Sequence, residues 1–146
     1  MRARMSGGVG GGPGDPALLP DLGRMFARLR AVTIDCPDAS ALADFYSELL
    51  GLPVTRRDAD WARIGDGSSP GIEFQQVSDH LPPAWPDPER PQQVHFEIEV
   101  SDIEAAQERV LAMGARLLAV CEDDPGNLYR VYADPAGHPF CLEFSR

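Results

Sequence analysis

The sequence predicts an α+β protein made of two βαβββ modules. Three observations carry that reading: two stretches that alternate apolar and polar residues, a capping aspartate just after each, and the same element order in both halves of the chain. Leu29–Cys36 (LRAVTIDC) sets Val32 and Ile34 on one face. Val94–Val100 (VHFEIEV) sets Phe96 and Ile98 on one face and His95, Glu97 and Glu99 on the other. A period of two marks a strand with unlike faces. Asp38 and Asp102 follow, and an aspartate there accepts hydrogen bonds from the free amides of a first helical turn. Aligning Asp38 with Asp102 pairs Val32 with Phe96, Ile34 with Ile98 and Cys36 with Val100. An internal repeat of this kind governs the fold.

Residues 1–27 read as a flexible tail, because Gly and Pro dominate 1–23 and leave too little apolar surface to bury. That stretch has no apolar run of signal-peptide length. Met25 heads the string MFARLRAV and is a candidate translation start; a tryptic peptide spanning Gly7–Arg24 from native protein would rule it out. Module one covers 28–77. After its first strand, Asp38 starts a helix through Leu50, with Leu42, Phe45, Tyr46 and Leu49 as its buried stripe. Gly51 suits its end. Short strands follow at Leu52–Arg57 and Trp61–Ile64, then a turn at Asp66–Pro70 and a strand at Gly71–Val77.

Residues 78–91, SDHLPPAWPDPERP, are Pro-rich and read as a linker or an ordered loop. Module two covers 92–146. Its strand Val94–Val100 leads to a helix with Ile103, Ala106, Val110 and Met113 on one face, ended by Gly114. Strands at Arg116–Val120, Leu128–Ala133 and Phe140–Phe144 complete it, with a loop at Asp123–Asn127 and a turn at Asp134–Pro139.

Composition limits the partners. The formal net charge is −10, from 13 basic and 23 acidic residues. That argues against a nucleic-acid surface, which needs a basic patch, and against an anionic membrane. No apolar run approaches the roughly 20 residues of a membrane helix. Cys36, Cys121 and Cys141 lack the spacing of a disulfide scaffold and read as free thiols of a reducing cytoplasm.

LADFYSELLGLPV at 42–54, VHFEIEVSDIEAA at 94–106 and YADPAGHPFCLEF at 132–144 together resemble the vicinal oxygen chelate superfamily of glyoxalase, bleomycin-resistance and dioxygenase type. The resemblance implies that the curved mixed sheets of the two modules enclose a cleft, with the helices outside. Thr33 and Asp35, and His95, Glu97 and Glu99, would face the cleft, while Phe74 and Phe140 would face the helices. Metal-using members carry a His or Glu on the first, fourth, fifth and eighth strands. Transferred by position, the resemblance implies His95 on the fifth and Glu73 on the fourth, but Ala31 and Cys141 at the other two. Glu143 lies two residues beyond Cys141.

The expected cleft set is therefore Thr33, Glu73, Trp85, His95, Glu97, Cys141 and Glu143, with His95 and Glu73 as an incomplete metal set. No cofactor is expected; a divalent metal is the alternative. The plainer readings are a solvated acidic face for Glu73, Glu97 and Glu99, and a packing role for Cys141. The expected function is binding of a small molecule in the cleft. The alternative is a metal-dependent lyase, isomerase or dioxygenase acting on a substrate with vicinal oxygens. Glyoxalase I activity itself is not expected. A third reading is an interaction module, with a second copy in a homodimer as the partner.

Overall fold

Asp38 and Asp102 begin the two helices as their chemistry dictates. In the computed structural model, which describes residues 26–68, 70–124 and 127–145, Asp38 accepts from the Ala41 amide at 2.9 Å. Asp102 accepts from the Glu104 and Ala105 amides at 3.1 and 3.0 Å. Helix α1 spans Ala39–Leu50 and α2 spans Ile103–Ala112. Gly51 ends α1 at φ 66°, a left-handed conformation that glycine adopts without strain.

The strands are β1 (Ala31–Cys36), β2 (Val54–Arg57), β3 (Trp61–Ile64), β4 (Gly71–Gln76), β5 (Phe96–Glu99), β6 (Arg116–Asp124), β7 (Asn127–Ala133) and β8 (Pro139–Ser145). They form two mixed sheets in the orders β1-β4-β3-β2 and β5-β8-β7-β6. In each sheet the strand before the helix lies parallel to the last strand of its module, and the other pairings are antiparallel. This is the repeated βαβββ order that the sequence predicts.

Several strand ends differ from expectation, most of them by one or two residues, and two of the differences bear on module two. The ladder of β5 starts at Phe96, not Val94, so His95 precedes the strand and Val94 is 70% exposed. Phe96 pairs with Phe140; the residue before it, Pro139, has no N–H to donate to a further rung. Strand β6 runs on to Asp124, past the expected Val120, pairing with β7 through a register shift. The expected loop at Asp123–Asn127 lies partly outside the described residues, as does almost all of the tail expected over 1–27.

One apolar core spans both modules. Tyr46 and Phe45 of α1 are its hinge. Tyr46 stacks on Phe74 at 5.7 Å and meets Phe96 and Phe140 edge-on at 5.4 and 6.3 Å. Phe45 meets Phe140 at 5.9 Å. Such pairs contribute about 0.5–1.5 kcal/mol each beyond the area they bury. The Tyr46 hydroxyl donates to Asp134 Oδ2 at 2.7 Å, tying helix α1 to the turn before β8. Asp134 is buried but satisfied, accepting also from the Ala136 and His138 amides.

Residues 78–91 form a hydrogen-bonded loop. Ala84 donates to the Arg90 carbonyl at 2.8 Å and Asp87 to the Ala84 carbonyl at 2.7 Å. Its start is held against module two: His80 Nε2 lies 2.9 Å from the Ala136 carbonyl. Gly137, at φ 95°, faces Pro82 so closely that a Cβ there would sit 2.7 Å from Pro82 Cβ. Among the described residues no helix is long and apolar enough to cross a membrane.

Candidate functional site

The sheet registers set the site. In module two, Glu97 of β5 pairs with Cys141 of β8, which pairs with Val131 of β7. The next row holds Glu99, Glu143 and Tyr129. Because strand side chains alternate, these residues share the face opposite Phe96, Phe140 and Leu142, which are packed in the core. His95 lies at the start of this face. One of its ring nitrogens, Nε2, is 2.5 Å from Glu97 Oε1. Ligand-type atoms of His95, Glu97 and Cys141 all lie within 4.8 Å of one another.

The carboxyl groups of Glu97 and Glu143 act on each other. A hydrogen bond between Glu97 and Glu143 holds Glu97 below the usual carboxylate range and raises Glu143, and partial burial raises Glu143 further. Burial pushes the Cys141 thiol up to about 11, and the neighbouring charges of Glu97 and Glu143 add to that. With no cation present, this thiol is protonated at neutral pH.

A cavity of about 240 Å³ opens on this face. His95, Glu97, Cys141, Glu143 and Tyr129 of the sheet line it together with Gln92 and Trp85. Trp85 thus comes from the Pro-rich loop to meet the polar residues of β5 and β8. Gln92 and Tyr129 were not singled out from the sequence. The signal for Tyr129 was its register with Glu143, which needs the β7–β8 pairing to be known.

Thr33 and Glu73 lie elsewhere. Thr33 lines a neighbouring cavity of about 420 Å³ with Asp35, Leu81 and His138, and Gln92 borders both cavities. Glu73 is buried in module one. It accepts from Arg30 at 3.0 Å, Arg63 at 2.9 Å and Thr33 at 3.3 Å. Its charge is therefore met by two guanidinium groups, neither of which the sequence reading foresaw. A larger groove, of about 540 Å³, runs between the helices near Asp44, Glu48 and Arg109. It lies on the outer layer, away from the imidazole, thiol and paired carboxyls.

A sequence profile of the glyoxalase-like domain family matches residues 31–143. The chain belongs to this family. No curated protein sequence matches it. Among solved structures, the chain is similar to a glyoxalase/bleomycin resistance protein/dioxygenase family enzyme from Burkholderia phytofirmans, at 18% identity and a TM-score of 0.64, covering 82% of this chain and 100% of that one. It is similar to a glyoxalase-related enzyme from Fulvimarina pelagi, at 20% identity and a TM-score of 0.62, covering 81% and 88%. A lactoylglutathione lyase from Agrobacterium tumefaciens shares 16% identity and a TM-score of 0.54, covering 80% and 92%. At these identities the likeness shows the fold.

Proposed function

We propose that this glyoxalase-like chain binds a small oxygen-bearing molecule in the cavity between Trp85 and the β5–β8 face. The observation that carries the reading is the convergence of two aromatic side chains, Trp85 and Tyr129, and of the polar His95, Glu97 and Gln92 on one half-open space. At about 240 Å³ it is smaller than the roughly 300–1,000 Å³ of sites for drug-sized ligands, so its ligand is small. Trp85 and Tyr129 offer flat apolar surface, and His95, Glu97 and Gln92 offer directional hydrogen bonds. A thermal-shift screen of small hydroxy-, keto- and phenolic compounds tests this, with Trp85→Ala and Glu97→Gln alongside. Hits that stabilise the parent and lose most of their effect in both variants are expected. A library without hits, or hits that ignore both substitutions, would sink the reading.

A second reading, a metal-dependent lyase, isomerase or dioxygenase, is favoured by one observation: three donors of metal-binding type within 4.8 Å. The donor set fits an ion, since catalytic sites commonly use three protein ligands and keep a position open. His95, Glu97 and Cys141 would hold it. A bound divalent ion supplies Lewis acidity toward neighbouring substrate oxygens. The chain itself supplies Trp85 to orient the substrate and Glu143, beside the donors, to accept or return a proton.

A further inference from the structure

We infer that His95, Glu97 and Cys141 form a thiolate-bearing site, held wholly within module two, that selects a borderline-soft divalent ion such as zinc over magnesium or calcium. This rests on the metal reading above for its place, and it does not require catalysis. The usual arrangement implied by the resemblance draws ligands from both modules. Here that arrangement lacks its parts: Ala31 has no donor atom, and Glu73 is occupied by Arg30 and Arg63. A cation at Glu73 would meet two guanidinium charges.

Module two offers the opposite surroundings. Two carboxylates, Glu97 and Glu143, act on Cys141, and no guanidinium pairs with either among the described residues. Tetrahedral zinc with ordinary bond lengths places its donors roughly 3.4–3.7 Å apart. The present separations, from 2.5 Å for His95–Glu97 to an upper bound of 4.8 Å, bracket that range. The adjustment falls on the more exposed partners, since the His95 and Glu97 side chains are 31% and 50% exposed. Cys141 is buried and fixed by its pairing with Glu97 and Val131. Its sulfur decides the choice of ion, because thiolate suits zinc and related metals whereas magnesium and calcium take oxygen ligands. On binding, the Cys141 S–H proton passes to solvent and the S–metal bond replaces it. His95 binds through a ring nitrogen that carries no hydrogen, and no atom changes oxidation state. The ion's open side faces the cavity.

The test uses the full chain, reduced and stripped of metal with a chelator. Zinc affinity is measured by competition with a chromophoric chelator, and Co²⁺ is added as a spectroscopic stand-in. The expected result is a thiolate-to-cobalt charge-transfer band that Cys141→Ser abolishes and Cys121→Ser retains. His95→Ala and Cys141→Ser should each weaken zinc by at least about tenfold, with magnesium unable to compete. Glu97→Gln, at an exposed position, should weaken zinc similarly and carries the test should Cys141→Ser fail to fold. Cobalt bound without the band, a band that follows Cys121, or zinc affinity unchanged in Glu97→Gln would overturn the assignment while leaving metal binding standing. No zinc or cobalt bound at all would overturn both.

Discussion

The two modules share a backbone plan but use equivalent positions in opposite ways. In module one the central row runs from Thr33 through Glu73 to Arg63. In module two the matching row runs from Glu97 through Cys141 to Val131. Ala31 stands where module two has His95. In the first row the one carboxylate lies on the middle strand and is neutralised by Arg63 and Arg30. In the second the carboxylate has moved to the edge strand, a thiol occupies the middle, and no arginine follows it across. The first face carries an ion-paired carboxylate beside the cavity that Thr33 lines. The second leaves its polar groups turned toward a cavity. The lesson is that two modules with one ladder differ in where their arginines stand: the carboxylate of one face is ion-paired with arginine while, among the described residues, those of the other are not.

That contrast can be broken experimentally. The largest effect belongs to what both modules share, the aromatic seam. Phe140→Ala removes a buried ring touching Phe45, Tyr46 and Tyr132 and should cost about 3–5 kcal/mol in urea unfolding. A loss below about 1 kcal/mol would show that the modules do not depend on the seam. Next comes Glu73→Ala, which leaves Arg63 facing a buried hole. A buried pair broken on one side costs roughly 3 kcal/mol, most of it from Arg63, since Arg30 is largely exposed. Glu97→Ala, by contrast, should change stability little, because its side chain is half exposed. Equal losses at Glu73 and Glu97 would erase the distinction between the faces.

Tyr46→Phe is smaller. It deletes one buried hydrogen bond to Asp134, and about 1–2 kcal/mol is expected, measured by the same unfolding curves. The smallest effect is alkaline. Burial pushes the Cys36 thiol of module one up from 9.0 to about 11. A raised pKa in the folded state means the full contribution below pH 9, lost as pH rises from 9 toward 11. Stability followed across that window should fall in the parent and fall less in Cys36→Ala.

Much of the architecture was legible because it rests on local signals. The caps at Asp38 and Asp102, the stop at Gly51 and the alternation around Ile34 and Ile98 each depend on residues close in sequence. The alternation puts His95 and Glu97 on the face away from the core, and they line one cavity with Trp85, Cys141 and Glu143, which alternation alone does not place there. The partners of Glu73 were not legible. Arg30 is 43 residues away and Arg63 is 10 residues away, and only the β1–β4–β3 register brings them together. The early end of the β5 ladder was hidden for a similar reason. It is set by Pro139 on a strand that lies beside β5 in space and far along the chain.

The contact between Gly137 and Pro82 bears on how the cavity is built. It leaves no room for a side chain at 137, so the loop carrying Trp85 is seated on the same turn that precedes β8. Trp85 and the strand holding Cys141 and Glu143 therefore meet at one turn. A side chain at 137 would press at once on the loop that carries Trp85 and on the turn that leads into the strand of Cys141.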